Sequence, residues 1–231
     1  MKLLASAIAL APPRGGDYRI SLPALRTQLT WRLFGEVPGR VVIIMLFSSM
    51  ALRIAADVHA TGHVTGLLLV VSETLVVVLT LVRRRAGTID RSWRARILTL
   101  CSTFGPLMLR PVSAGALLPE LTTIVIGVAG ITVVVCGKMS LGRSFGLAPA
   151  NRGIVSTGMY RFARHPIYFG YLVTHVAFLL ANPSLGNAAL LAVADIALMF
   201  RAVCEEETLA KDGAYREYMQ RVRWRILPRV F

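Results

Sequence analysis

Acidic residues are scarce in this chain: 12 Asp and Glu stand against 26 Lys and Arg, a formal net charge of +14 over 231 residues. Cysteine is scarcer still, with Cys101, Cys136 and Cys204 each in or beside an apolar run and none closely spaced. An odd, scattered set gives neither a disulfide framework nor a metal knuckle, so the three read as small core hydrophobes. The HExxH, P-loop, GxSxG and paired CxxC patterns are missing, which leaves hydrolase and ATPase readings without support. No internal repeat of fixed period is found, and nothing marks a separate soluble domain.

What the chain has in excess is apolar residues, 55% of the total, with a mean hydropathy of +0.62. They concentrate in six runs, at about 41–56, 64–82, 97–109, 117–137, 167–181 and 188–204. The second carries a single charge, Glu73, and at 1.5 Å per residue extends roughly 28 Å, close to the hydrocarbon thickness of a bilayer. The third is short and runs into Arg110 and Pro111, so a tilted, re-entrant or interfacial path suits it. The expected fold is all-α: a polytopic integral membrane bundle of about five to six transmembrane helices ending in a helical hairpin.

The basic residues decide between nucleic acid and membrane topology as the cause of the charge. If all six runs cross, only Arg53 and Arg110 fall on one side and every other Lys and Arg falls on the other. That bias puts both termini in the cytoplasm, points to a bacterial-type inner membrane and to membrane lipids as partners, and leaves no role for nucleic acid. The start, MKLLASAIALAPP, looks like a short signal peptide. Its cleavage would put the arginines of residues 14–40 outside, so it reads as an interfacial anchor, and residues 22–34 as an amphipathic surface helix. The basic loop at 83–96 reads as a topology determinant that also suits anionic headgroups.

Ionisable residues within membrane runs are functional candidates, and here they include Glu73, His175, Asp195 and Arg201. Folding the last two runs about the uncharged turn 182–187 brings His175 level with Asp195, Tyr168 near Arg201, and Arg164 or His165 near Glu205. Arg201 and Glu205, four apart, share a helix face. They suit either an ion-pair belt locking the hairpin or a ligand site at its mouth. His175 and Asp195 suit either a polar stitch between helices or the chemistry of an acceptor. Asp57, His59 and His63 have ligand-like spacing that chance supplies easily, and no metal site is expected. Gly142, Gly146, Gly153 and Gly158 punctuate the loop before residue 165 and permit close backbone approach to a ligand.

Over residues 141–228 the motifs LGRSFG, GIVSTGMYRFARHPIYFG, NP, RAVCEEETL and DGAYREYMQRVRWRILP follow one another. In these the chain resembles the isoprenylcysteine carboxyl methyltransferases and their relatives, the phospholipid methyltransferases. The chain is expected to divide into a basic N-terminal segment (1–40), transmembrane helices (41–137) and a core (138–231), for which the resemblance implies a methyltransferase with a cytoplasmic cofactor pocket under a C-terminal lid. It implies S-adenosylmethionine held by Gly153, Ile154, Val155, Tyr160, His165, Pro166, Ile167, Tyr168, Glu205 and Glu206. Arg201, with His165 and Tyr168, is implied at the catalytic centre, with Arg201 on the side of a lipophilic substrate, and the depth of His175 and Asp195 puts them as expected substrate contacts beside it. Carboxyl O-methylation of an isoprenylcysteine-like or other lipid-linked carboxylate is expected first, with a phospholipid amine or a small lipophilic thiol or hydroxyl as alternative acceptors. A transporter, suggested by Glu73, His175 and Asp195, lacks inverted repeats, and a non-enzymatic scaffold would bind no cofactor. The oligomeric state stays open.

Overall fold

The computed structural model describes residues 39–227 apart from 53–54, 57–58, 60–63, 91, 111 and 113–114. The expectations for residues 1–38, and Asp57 and His63 of the ligand-like trio, lie outside the described residues. Among the described residues no group of three metal-ligating side chains occurs. Among the described residues seven helices form: α1 (Gly39–Leu52), α2 (Val64–Val82), α3 (Trp93–Phe104), α4 (Glu120–Leu141), α5 (Pro166–Ala181), α6 (Leu185–Leu209) and α7 (Gly213–Arg221).

Local chemistry sets their ends. Ser92 caps α3, its hydroxyl accepting from the Ala95 N–H at 3.2 Å, and Ser184 caps α6 by accepting from the Asn187 N–H at 3.1 Å. Pro166 opens α5 in the first turn, where its missing N–H costs nothing. The third apolar run is a 12-residue helix followed by a 3-10 turn, Gly105–Met108, with Pro106 inside it.

Each of the six apolar runs contains helix, and among the described residues two helical stretches, Glu120–Ser144 and Leu185–Leu209, are long and apolar enough to cross a membrane. Large apolar side chains face outward on them: Leu121 and Val125 on α4, and Val193, Ile196 and Phe200 on α6, are all more than half exposed. A water-soluble bundle would carry polar residues there, so the outer surface suits lipid.

The helices do not pack as a simple C-terminal hairpin. α5 lies along α4, and α6 lies along α3, while α5 and α6 touch each other at few points although only a short turn joins them. Glycine is the reason for the first pairing. A Cβ on Gly170 of α5 would stand 2.7 Å from Val134 Cγ2 and 2.8 Å from the Gly130 carbonyl, and one on Gly137 would stand 2.7 Å from Ile167 Cγ1. The two backbones meet directly, as small residues allow between membrane helices. Core side chains of α2 (Val76, Leu79), α4 (Val134), α5 (Ile167, Tyr168) and α6 (Leu198, Ala202) share one cluster, which Phe145 and Ile226 complete.

Two asparagines tie the end where α5 turns into α6. Asn187 accepts from the Arg110 N–H at 3.2 Å and donates to the carbonyls of Arg110 (2.9 Å) and Asn182 (3.0 Å). Asn182 accepts from the Val112 N–H at 3.2 Å. At the other end, β1 (Thr88–Ile89) pairs antiparallel with β2 (Ala150–Asn151), Thr88 opposite Asn151, and so fastens the α2–α3 loop to the α4–α5 loop.

Candidate active site

A cavity of about 210 Å³ opens among α2, α5, α6, α7 and the α4–α5 loop. The loop supplies Gly153, Ile154, Val155 and Tyr160 to its wall. Gly153 sits at φ 103°, where a side chain would be strained and would meet Arg84, and Asn151 Oδ1 accepts from its N–H at 3.0 Å. The other edge of the Asn151 amide donates to Asp212 Oδ2 at 2.8 Å, while Asp212 Oδ1 caps α7 through the Ala214 N–H at 3.0 Å. The Asn151 bond, with the Ala214 N–H behind it, holds the Asp212 carboxyl below the usual carboxylate range.

From α6, Arg201 and Glu205 line the cavity one turn apart. They do not form the ion-pair belt that was one of two expectations for them. Glu205 accepts from the Tyr168 hydroxyl at 2.8 Å. The Arg201 guanidinium lies 5.4 Å over the Tyr168 ring and donates to Ser102 Oγ at 3.2 Å and to the Leu147 carbonyl. Among the described residues it has no carboxylate partner, although it is only 6% exposed. His165 stacks on the other neighbour of this set, Tyr168, with ring centroids 5.1 Å apart.

Glu206, one residue on, turns away from the cavity. It is 4% exposed and gathers three nitrogen groups, two of them guanidinium: Arg164 Nε at 2.9 Å, His165 Nε2 at 3.2 Å and Arg225 Nε at 2.8 Å. Arg164 and His165 therefore meet Glu206 rather than Glu205, because consecutive helix residues point about 100° apart. Glu206 was expected among the cofactor contacts, yet it does not line the cavity. Pro166 and Asp195 do not line it either, whereas the other expected site residues do.

The same knot holds a C-terminal strap. The N–H groups of Arg164 and His165 donate to the carbonyls of Trp224 (2.9 Å) and Arg225 (2.7 Å). Before the strap, Tyr215 and Tyr218 of α7 form part of the cavity wall, and the Tyr218 hydroxyl donates to the Tyr160 carbonyl at 2.7 Å. Burial pushes the phenols of Tyr160, Tyr215 and Tyr218 well up, so each stays a protonated donor near neutrality. The C-terminal segment thus closes one side of the cavity.

Deeper in the bundle His175 Nδ1 lies 2.6 Å from Asp195 Oδ1, so the two run as the sequence mirror implies, with His175 facing the cavity and Asp195 behind it. Lys138 was counted among the flanking topology charges. The structure instead buries it completely within α4, its ammonium donating to Ser72 Oγ at 2.7 Å and to the Ser72 carbonyl at 3.1 Å. A lysine near the end of an apolar run reads as a flank, and the only sequence signal for its burial is Glu73 in a distant run.

Residues 112–216 match the phospholipid methyltransferase family. That family is part of the superfamily shared with the isoprenylcysteine carboxyl methyltransferases. It begins just before α4, ends within α7, and takes in Gly153 to Tyr215, including Arg201 and Glu205. No curated protein matches the chain. The methyltransferase match and the apolar helices together support a membrane methyltransferase, which implies a methyl donor for the cavity to hold. Glu73, Ser102, Thr103 and Tyr218 are cavity residues beyond the matched stretch.

Proposed function

We propose that this chain is a multi-pass membrane methyltransferase that uses S-adenosylmethionine to methylate a lipid-linked carboxylate. The observation that supports this reading is Arg201. A guanidinium buried beside a cavity, with only neutral partners among the described residues, is costly unless a ligand brings the anion. One turn away Glu205 offers the opposite charge to the same space, held by Tyr168 and not by Arg201.

The donor set fits the cofactor. Carboxylate oxygens of Glu205 suit an amino group and ribose hydroxyls, while the backbone of Gly153 to Val155, with Tyr160, suits an adenine and its ribose. When bound, S-adenosylmethionine supplies an electrophilic methyl group on sulfur. Arg201 orients the acceptor carboxylate, which is already a nucleophile at neutral pH, so no residue has to remove a proton. Tyr168 and His165, stacked together and tied to Glu205 and Glu206, fix the floor on which the two reactants align. Apolar walls from Phe47, Val76 and Leu198 exclude water from the transfer. The acceptor enters sideways from the bilayer between α5 and α6, and the basic loops place both termini in the cytoplasm.

Binding of S-adenosylhomocysteine to the purified protein, measured by isothermal titration with the wild type and Glu205→Ala, tests the reading. The wild type should bind, and the variant should lose at least about tenfold in affinity, the scale of one charged hydrogen bond. Folded wild-type protein that binds nothing overturns the methyltransferase reading.

A phospholipid amine is the second acceptor, and the family match favours it. His175, backed by Asp195, would then accept the amine proton. Methyl esters release their label as methanol in mild base, and N-methyl groups do not. The base lability of label transferred to membrane lipids therefore separates the two.

A further inference from the structure

Beyond the anion-seeking end at Arg201, the cavity has a second polar wall that the reaction above does not use. It consists of Glu73 from α2 with Tyr171 and His175 from α5, set among Phe47, Met50 and Pro106. Glu73 and His175 each stand nine residues in from the loop end of their helix, which is about 13 Å along the axis. A carboxylate at that depth is expensive and calls for a reason.

Its neighbours supply half of one. Lys138, fully buried, donates twice to Ser72 and lies 5.9 Å from the Tyr171 ring. The Ser72 hydroxyl, itself 2% exposed, donates in turn to Glu73 Oε1 at 3.4 Å. Lys138, Ser72 and Glu73 thus form one hydrogen-bonded chain with a cation at one end and the carboxylate at the other. Oε2 of Glu73 has no hydrogen-bond donor among the described residues, and the side chain borders the cavity. The Tyr171 hydroxyl likewise has no partner among them.

We propose that Glu73, charge-balanced by Lys138 through Ser72, is an acceptor-recognition subsite for a neutral hydrogen-bond donor, a hydroxyl or an amide N–H, carried on the apolar body of the acceptor away from the methylated atom. Charge balance decides against a cation. An ammonium group at Glu73 would sit beside Lys138 in a medium of low dielectric, where like charges repel strongly. A neutral donor satisfies the open oxygen without that cost. The subsite rests on the methyltransferase reading, and it makes Arg201 and Glu73 the two ends of a ruler for acceptor length.

Straight-chain probes with a carboxylate at one end test it: alkanoic acids of six to fourteen carbons, their ω-hydroxy acids and their ω-amino acids. Each is titrated calorimetrically into the detergent-purified full chain with S-adenosylhomocysteine bound. At one chain length the ω-hydroxy acid should bind about tenfold more tightly than its parent acid. Glu73→Leu should erase that preference and leave the S-adenosylhomocysteine affinity within about twofold of the wild type. Because Glu73→Leu leaves Lys138 without its balancing charge, the charge-free pair Glu73→Leu with Lys138→Met serves as the second variant and should behave alike. No hydroxyl preference at any length, or one that survives both variants, overturns the subsite. Tightest binding by the ω-amino acid overturns its neutral character. Failure of S-adenosylhomocysteine to bind the wild type would instead strike the methyltransferase reading, with the hydroxyl preference read separately in the absence of cofactor.

Discussion

Glu205 and Glu206 are neighbours of the same type, and the structure gives them opposite consequences on removal. Glu206→Ala would leave Arg164 and His165 buried without their anion and Arg225 without its anchor. Breaking a buried ion pair from one side costs about 3–5 kcal/mol. For a chain of this size each kcal/mol moves the melting temperature by about 2–4 °C. Glu206→Ala should therefore melt about 6–20 °C below the wild type in the same detergent at one scan rate. Its strap should also open to trypsin first at Arg223 and Arg225. Glu205→Ala strands only the Tyr168 hydroxyl, about 1 kcal/mol, so its melting point should stay within about 4 °C while cofactor affinity falls. If Glu206→Ala melts within about 3 °C of the wild type and resists trypsin equally, the ion cluster does not hold the strap and the division of roles is wrong.

Other consequences can be checked in the same preparation. Gly170→Ala puts a methyl group 2.7 Å from Val134 Cγ2, and overpacking should lower stability by about 1–3 kcal/mol in thermal unfolding. Tyr218→Phe removes a buried 2.7 Å bond to the Tyr160 carbonyl, which should cost about 1–2 kcal/mol and weaken S-adenosylhomocysteine binding through the displaced loop. The lowered carboxyl of Asp212 contributes to docking α7 above its ordinary value, near pH 3.9. That contribution is lost as the pH falls through the lowered folded value. Pepsin cleavage within residues 213–221 should thus rise as the pH drops from about 5 to 2 in the wild type. The ratio of wild-type to Asp212→Asn cleavage, which cancels the protease's own pH dependence, should rise over that range.

Much of the helical plan was legible from the apolar runs, because a run of that length has few other ways to satisfy its backbone in lipid. The facing of His175 with Asp195, and of Tyr168 with Arg201, followed from counting outward from the turn at Asn182 and Asn187. What the counting missed is which helix each one leans on. The glycines at 130, 137 and 170 seat α5 against α4, and that preference for backbone contact outweighs the short connection to α6. Nor could the sequence tell Glu205 from Glu206, since the direction of each depends on the phase of α6 against the core. Lys138 escaped notice because its partner, Ser72, is an ordinary residue 66 positions away. A C-terminal lid was implied by the resemblance alone, because the strap's bonds to Arg164 and His165 are made by the backbone, which leaves no pattern in the side chains.

The asparagine tie between the α5–α6 turn and the segment after α3 also bears on how the molecule moves. It fixes one end of two helices whose backbones approach at few points and which are otherwise joined by the side-chain bonds His175–Asp195 and Tyr168–Glu205, so they resemble the arms of tongs with a clamped pivot. Their spread is then controlled at the opposite end, where the Glu206 cluster acts as the catch. A large substrate would be admitted or released by loosening that catch, where Glu206 near the end of α6 meets Arg164 and His165 just ahead of α5.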